Sequence, residues 1–139
     1  MDIKKYFSIK ELVCPHVYNL HGDKAWAFFD PRLLDVLYFI RANLGKPITV
    51  NNGTTLTQRG YRCNLCELVK TKKTLYCSAH MRGQAIDFDV KGMTADQVRN
   101  WLWNNRERLP HNIRLEEDVS WVHVDVCNIN PNKIVYFKG

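Results

Sequence analysis

Several features that would assign this chain to a broad class are missing from it. No run of about 18 apolar residues occurs, so the sequence predicts no membrane-spanning helix. The opening MDIKKYFSIKELVC has neither the long apolar stretch nor the small-residue cleavage site of a signal peptide, so we expect synthesis in the cytoplasm without export. Internal repeats, low-complexity tracts and linkers are also missing. We therefore expect a single domain over residues 1–139.

The composition is that of a soluble globular protein, with 45% hydrophobic and 24% charged residues. The net charge of +6 favours an acidic partner such as an anionic cell wall, although the basic residues are spread along the chain and interspersed with acids. Five cysteines cannot all pair within one chain, and the missing export signal indicates that most are reduced. Cys14 and Cys127 are interpreted as structural.

Two segments alternate apolar and polar residues with the period of a β-strand. In 85–90 the apolar side chains face one way and Asp87 the other, and in 121–126 the valines face away from His123. If the two strands pair, Asp87 and His123 share a surface, and His80 can reach it from the preceding loop. Two imidazoles and one carboxylate suit zinc with a fourth position open to water.

These residues resemble a known enzyme family. Residues 78–87 carry the SxHxxGxAxD signature of the zinc D-Ala-D-Ala carboxypeptidases and related peptidoglycan peptidases, the peptidase M15 family, whose fold group includes the Hedgehog signalling domain. The matching residues are Ser78, His80, Gly83, Ala85 and Asp87. WVHVDV is similar to the second signature of the family, and the resemblance covers nearly the whole chain. It is closest to short members carried by phages or prophages.

The resemblance implies a fold and a set of site residues. The fold is α+β, a single domain with an antiparallel sheet and flanking helices, and the zinc ligands are His80, Asp87 and His123. An arginine upstream of the first ligand grips the substrate carboxylate, and Arg62 fits the GYR element better than Arg59 does. A guanidinium binds a carboxylate through two parallel hydrogen bonds.

The general base departs from the family pattern. Many members have Glu three residues before the second histidine ligand, where this chain has Ser120. A carboxylate must still accept a proton from the attacking water and return it to the leaving amine. We predict Glu116 first and Glu117 second, while Asp118 is a further candidate.

Other polar residues have open roles. Ser78 either binds near the substrate or caps its loop. Asp89 and Asp125 either orient the imidazoles or are ordinary polar strand positions. An arginine in a solvated loop remains an alternative interpretation of Arg62.

Capping signals predict three helices. Ser8 and Glu11 form a capping box for a short first helix, and Asp30 with Pro31 starts a helix that Gly45 ends. Thr94 caps a third helix, which we expect to run toward Leu109 because Pro110 stops it. Strands are predicted near 48–51, 85–90, 113–116, 121–126 and 133–137.

The sequence thus predicts a zinc-dependent metallopeptidase that acts as a monomer on peptidoglycan stem peptides. We expect a D-Ala-D-Ala carboxypeptidase or an L-Ala-D-Glu endopeptidase, including a phage endolysin that reaches the wall after release, with no nucleic-acid or membrane partner. One alternative is a catalytically silent zinc domain used for binding.

The cysteines supply a second alternative. Cys63 and Cys66, with Cys77 and His80, have the spacing of a structural zinc finger, which would suggest a nucleic-acid-binding module. Such a finger explains neither Asp87 nor WVHVDV. We therefore favour small-residue packing for these cysteines over the binding of another metal.

Overall fold

Five strands and four α-helices make up the fold of residues 2–139, the part of the chain that the computed structural model describes. The strands are β1 (Ile48–Thr49), β2 (Ala85–Val90), β3 (Ile113–Glu116), β4 (Val122–Asp125) and β5 (Ile134–Phe137). The helices are α1 (Pro15–His21), α2 (Pro31–Leu44), α3 (Glu67–Lys70) and α4 (Ala95–Asn104). Short 3-10 turns cover Ile3–Lys5, Ile9–Glu11, Gly22–Phe28 and Arg106–Arg108. The predicted α+β class is confirmed.

The strands form one sheet in the order β1-β2-β4-β3-β5. The pairings β1–β2, β2–β4 and β3–β4 are antiparallel, as predicted. The sheet is thus mostly antiparallel, and its last pair is the exception, because β5 runs parallel to β3. The end of β4 and the beginning of β5 both lie beside the start of β3, so the chain between them passes around the start of β3 and β5 pairs with β3 instead of β4.

One face of the sheet packs against the helices and forms the core. The side chains of β2 and β4 that the alternating pattern assigned to the interior are buried, and so are two side chains of β3: Ile86, Phe88, Val90, Val122, Val124, Ile113 and Leu115. Helix α4 packs against β2 and β4. The opposite face is therefore free to carry polar side chains, and it carries the site described below.

Helix α2 begins and ends where the sequence predicts. The Asp30 side chain accepts a hydrogen bond from the Arg32 amide at 2.9 Å, Pro31 occupies the first turn, and Gly45 ends the helix with a left-handed backbone, φ 66°. The buried stripe comprises Leu33, Val36, Leu37 and Ile40. This stripe joins the same hydrophobic core as the buried face of the sheet.

Helix α4 is shorter than predicted. Its capping box is present, with the Gln97 amide donating to Thr94 Oγ1 at 3.1 Å. It ends at Asn104, because the Asn105 side chain donates to the Trp101 carbonyl at 2.8 Å and the chain continues as the turn Arg106–Arg108. The asparagine stops the helix before Pro110 does.

Two helices were not predicted. Helix α1 begins with Pro15 at its first position and lacks a side-chain cap. Helix α3 has only four residues, too few for a periodic apolar pattern. The capping box at Ser8 and Glu11 is present but opens a single 3-10 turn. Within residues 2–139 no helix is long and apolar enough to cross a membrane.

Gly83 makes a close backbone contact that positions the turn after His80. Its φ is +68°, and a Cβ at this position would overlap the carbonyl oxygen of Phe28. The Asp30 amide donates to the Gly83 carbonyl at 3.0 Å, which ties the turn to the start of α2. A glycine is required here for both conformation and space.

We expect Gly83→Ala to lower the free energy of unfolding by about 3 kcal/mol, because backbone strain and overlap add. Gly92→Ala is the matched control, since Gly92 has φ +78° but open space around a Cβ. It should cost about 1 kcal/mol. Urea unfolding of both variants measures the difference, and equal losses would contradict the close contact.

Candidate metal centre

The site lies on the polar face of the sheet, where strand register aligns side chains in one row. Asp87 on β2 lies directly opposite His123 on β4. On the other side of β4, the register pairs Arg114 with Asp125 and Leu115 with Val124, which brings Glu116 next to His123. Asp87, His123 and Glu116 therefore line up across three adjacent strands, and we call this line of side chains the row.

His80 reaches this row from a turn that precedes β2. The Gly83 amide donates to the His80 carbonyl at 3.3 Å, and the Gln84 amide donates to the Ala79 carbonyl at 2.9 Å. His80 Nε2 then lies 3.3 Å from Asp87 Oδ2, while His123 Nδ1 lies 2.7 Å from Asp87 Oδ1. Both imidazoles are buried against the carboxylate.

The outward nitrogen of each imidazole is held by a second partner. His80 Nδ1 donates to the carbonyl of Gly60 at 3.0 Å. His123 Nε2 donates to Asp125 Oδ2 at 2.9 Å, and Asp125 is fully buried. Arg114 donates to both oxygens of Asp125 at 2.9 Å each. These bonds fix which nitrogen of each ring faces Asp87.

The buried charges shift the pKa values of the row. Burial opposes ionisation of Asp87, but hydrogen bonds from His123 and His80 outweigh it and hold the pKa of the carboxyl well below its usual range. Burial would also lower the pKa of His123, yet the hydrogen bonds to Asp125 and Asp87 raise it to about 9. The pKa of Asp125 is lowered, because His123 and Arg114 offset the effect of burial.

The residues fit a divalent metal by their chemistry. One ligand atom from each of His80, Asp87 and His123 lies within 4.8 Å of the other two. A tetrahedral zinc with bonds of about 2.1 Å separates its ligands by about 3.4 Å, close to the 3.3 Å between His80 and Asp87. Two nitrogens, one oxygen and two oriented imidazoles make a set typical of zinc with one open position.

The acids near this set lie at different distances. Glu116 Oε2 is 3.9 Å from His123 Nδ1, and its side chain is largely buried. Glu117 directly follows β3. Burial is the main cause of the raised pKa of Tyr136, and the negative charge of Glu117 adds to it. Asp118 is exposed and lies 3.4 Å from Lys138 Nζ. Ser120 is also exposed. Of the predicted base candidates, the structure brings Glu116 to the row.

A groove of about 470 Å³ opens beside Asp87. Arg62 lines it, with Nη2 3.9 Å from Asp87 Oδ2. Arg62 Nε and Nη2 both donate to the Gln58 carbonyl, at 3.0 and 2.8 Å, so the guanidinium plane is fixed. Arg59 also lines the groove but is bound to both oxygens of Asp89. The groove thus has arginines in its wall and reaches the site at Asp87.

Ser78 and Asp89 lie apart from the ligand set. Within residues 2–139 the buried Ser78 Oγ has no hydrogen-bond partner, and Ser78 is not among the residues that line the groove. Asp89 is exposed and pairs with Arg59. Asp125, by contrast, orients His123, as one of its two interpretations anticipated.

Arg99 was not anticipated as a site residue. It is buried on α4 and donates to the carbonyls of Val119 and Trp121, each at 3.0 Å. These bonds brace the turn that joins Glu116 to β4. An arginine in an amphipathic helix is ordinarily expected to face solvent. Its place among the buried positions of α4 was the signal that sequence reasoning missed.

The cysteines group differently from the predicted zinc finger. Cys63 and Cys66 cluster with Cys14 and His16. Cys77 is exposed and His80 belongs to the row with Asp87, so the finger composed of these two residues with the CxxC pair does not form. The signal that was missed is the short spacing of Cys14 and His16, which are far from the CxxC pair in sequence.

Comparison with known proteins identifies the family. The sequence model of the family described as Peptidase M15 matches residues 5–125. The chain belongs to the peptidase M15 family. The match contains the row and the groove, and membership supports a zinc peptidase. No curated protein and no solved structure matches the chain.

The raised pKa of His123 predicts how the metal-free protein responds to pH. The folded state retains a proton that the unfolded chain, with a pKa of 6.5, releases. Its stabilisation is therefore complete below about pH 6.5 and is lost as the pH rises through about 9. We expect the free energy of unfolding to fall by roughly 3 kcal/mol across this interval.

Chelator-treated protein unfolded in urea at several pH values measures this loss. In Asp125→Asn the loss should be smaller and should end at lower pH, because one partner that raises the pKa of His123 in the folded state is gone. Asp89→Asn is the control, because it removes an exposed acid on the same face of the sheet. Its stability should depend on pH as that of the unmodified protein does. Identical profiles for all three proteins would contradict the assignment to His123.

Proposed function

We propose that this peptidase is a zinc-dependent metallopeptidase that hydrolyses the stem peptide of bacterial peptidoglycan. The observation that carries the proposal is the convergence of His80, Asp87 and His123 beside a groove with an arginine wall. The family signatures around these residues support peptidoglycan as the substrate class. We assign the three side chains as the zinc ligands.

The metal supplies one part of the chemistry and the protein supplies the rest. Zinc, when bound, provides the Lewis acidity that activates water and polarises the scissile carbonyl. Asp125 and the Gly60 carbonyl keep His123 and His80 oriented toward the ligand position. His80, His123 and Asp125 are buried, which strengthens the electrostatic interactions among the side chains of the site.

We assign Glu116 as the general base. It accepts the proton of the attacking water and returns it to the leaving amine as the peptide bond breaks. The 3.9 Å separation between Glu116 and His123 supports this role, since a carboxylate there adjoins the ligand set. Glu117 remains the second candidate. Neither occupies the usual family position, which holds Ser120.

Arg62 is assigned to the substrate carboxylate. Its guanidinium lines the groove next to Asp87 and is oriented by the Gln58 carbonyl. A peptide that ends in D-Ala, or one with the D-Glu carboxylate, presents a complementary anion to such a fork. Ser78 lies in the loop that carries His80, and we keep substrate binding as its proposed role.

Mass spectrometry of purified peptidoglycan fragments tests the proposed reaction. Zinc-loaded protein should generate a new peptide fragment, whose mass identifies the bond. His123→Ala should generate none, whereas His111→Ala should act like the unmodified protein because His111 pairs with Asp35 away from the site. Zinc bound at the row with no product would instead favour a silent binding domain.

Glu116→Gln tests the assignment of the base. We expect zinc content to be unchanged and kcat to fall at least about 100-fold, because the proton acceptor is lost while the shape is kept. Glu117→Gln is the matched control and should change kcat only a few-fold. Steady-state kinetics on the released fragment measure both. A large loss in Glu117→Gln alone would reassign the base.

Arg62→Lys tests carboxylate recognition. We expect KM to rise about tenfold, because a lysine cannot form two parallel bonds to the carboxylate. Arg59→Lys is the control, since Arg59 is engaged by Asp89. With a substrate whose carboxylate is amidated, Arg62→Lys and the unmodified enzyme should have the same KM. Equal sensitivity with both substrates would contradict the assignment.

A further inference from the structure

A second group of potential metal ligands lies outside the row. It comprises Cys14, His16, Cys63 and Cys66, whose ligand atoms all lie within 4.8 Å of one another. His16 Nδ1 is 3.5 Å from Cys63 Sγ and 3.8 Å from Cys66 Sγ. We call these four residues the cysteine cluster. Three thiols and one imidazole converge from two distant parts of the chain.

The backbone around the cysteine cluster holds its side chains in place. The Cys14 amide donates to the Tyr61 carbonyl at 2.9 Å, which joins the two chain segments. The CxxC pair is closed by a turn in which the Cys66 amide donates to the Cys63 carbonyl at 3.2 Å. The Leu65 amide donates to Cys63 Sγ at 3.4 Å, which orients this thiol within the cluster.

Simple packing explains only half of the cluster. Cys14 and Cys66 are buried like small hydrophobic residues, with 0% and 1% exposure. Cys63 is half-buried and His16 is exposed, yet both direct their ligand atoms at the buried thiols. An exposed imidazole oriented onto a pair of cysteines is typical of a metal site with access from solvent.

We propose that the cysteine cluster binds a structural zinc ion, separate from the ion at the row. Three sulfurs and one nitrogen complete a closed tetrahedral set, which leaves no position for substrate or water. Soft thiolate ligands also select zinc over magnesium or calcium. The C-x-x-C spacing of Cys63 and Cys66 matches the ligand spacing of structural zinc sites.

The position of the cluster indicates what the ion stabilises. Between β1 and β2 the chain forms a long connection, residues 50–84, in which the only helix is the four-residue α3. Connections of this length need additional constraints to stay ordered. This connection carries Gly60, which binds His80, and Arg62, which adjoins Cys63. A zinc ion would join it to the start of α1.

Zinc content of the purified, reduced full-length protein tests the proposal. We expect two zinc ions per chain, one after His123→Ala, and one after either Cys63→Ser or His16→Ala. These two sites are chosen because they are the more exposed members of the cluster. Cys77→Ser and Cys127→Ser replace cysteines outside the cluster and should keep both ions.

X-ray absorption of His123→Ala loaded with one equivalent of zinc identifies the ligands. A sulfur shell at about 2.3 Å is expected for the cysteine cluster. Zinc with only nitrogen and oxygen neighbours, or no retained zinc, would overturn the proposal. This readout does not depend on peptidase activity, so it is separate from a failure of the proposed function.

The structural role has its own readout. In Cys63→Ser the affinity of the second zinc should fall at least about tenfold, and protease cleavage within residues 50–84 should accelerate by a similar factor. Cys77→Ser lies in the same connection and should leave both unchanged. If added zinc does not change the rate at which the protease cleaves the unmodified protein, the ion does not order the connection.

Discussion

The antiparallel register of β2 and β4 is the constraint on which the site depends. It places Asp87 directly opposite His123, and a slip of one residue would turn one of them into the core. The valines of β4 and the apolar side chains of β2 oppose such a slip because their burial fixes the other face. The same hydrophobic contacts that stabilise the sheet therefore set the geometry of the proposed metal ligands.

Charge is arranged around this register as a continuous chain. Arg114 holds Asp125, Asp125 holds His123, and His123 and His80 share Asp87. Each buried acid is balanced by at least one cation or imidazole, as buried charges require. The arrangement favours a site whose rings are oriented before a ligand arrives, since each outward nitrogen already has a partner.

Local patterns in the sequence predicted much of this site. Alternation identified the faces of β2 and β4, and capping residues located both ends of α2. The order of strands was less accessible, because the parallel pairing of β5 with β3 depends on a crossover that no local signal encodes. The early end of α4 at Asn104 likewise reflects a side-chain bond from Asn105, which outweighed the apolar period.

Long-range groupings were the hardest features to predict. Cys14 and His16 meet the CxxC pair only because β-type pairing of Val13 with Tyr61 brings the two segments together. Arg99 braces the turn before β4 through backbone carbonyls, which carry no sequence signature. Glu116 was the first choice among the base candidates, but its place beside His123 follows from the pairing of β3 with β4, a long-range contact that its own residues do not encode.

Anomalous diffraction at the zinc edge, from crystals of the full-length protein grown with zinc, tests the central claim most directly. The account predicts a peak bounded by His80 Nε2, Asp87 and His123 Nδ1, with Glu116 beside it. That peak should be lost in His123→Ala. Crystals that show no peak at these three side chains, or a peak that persists without His123, would contradict the assignment of the row as the metal centre.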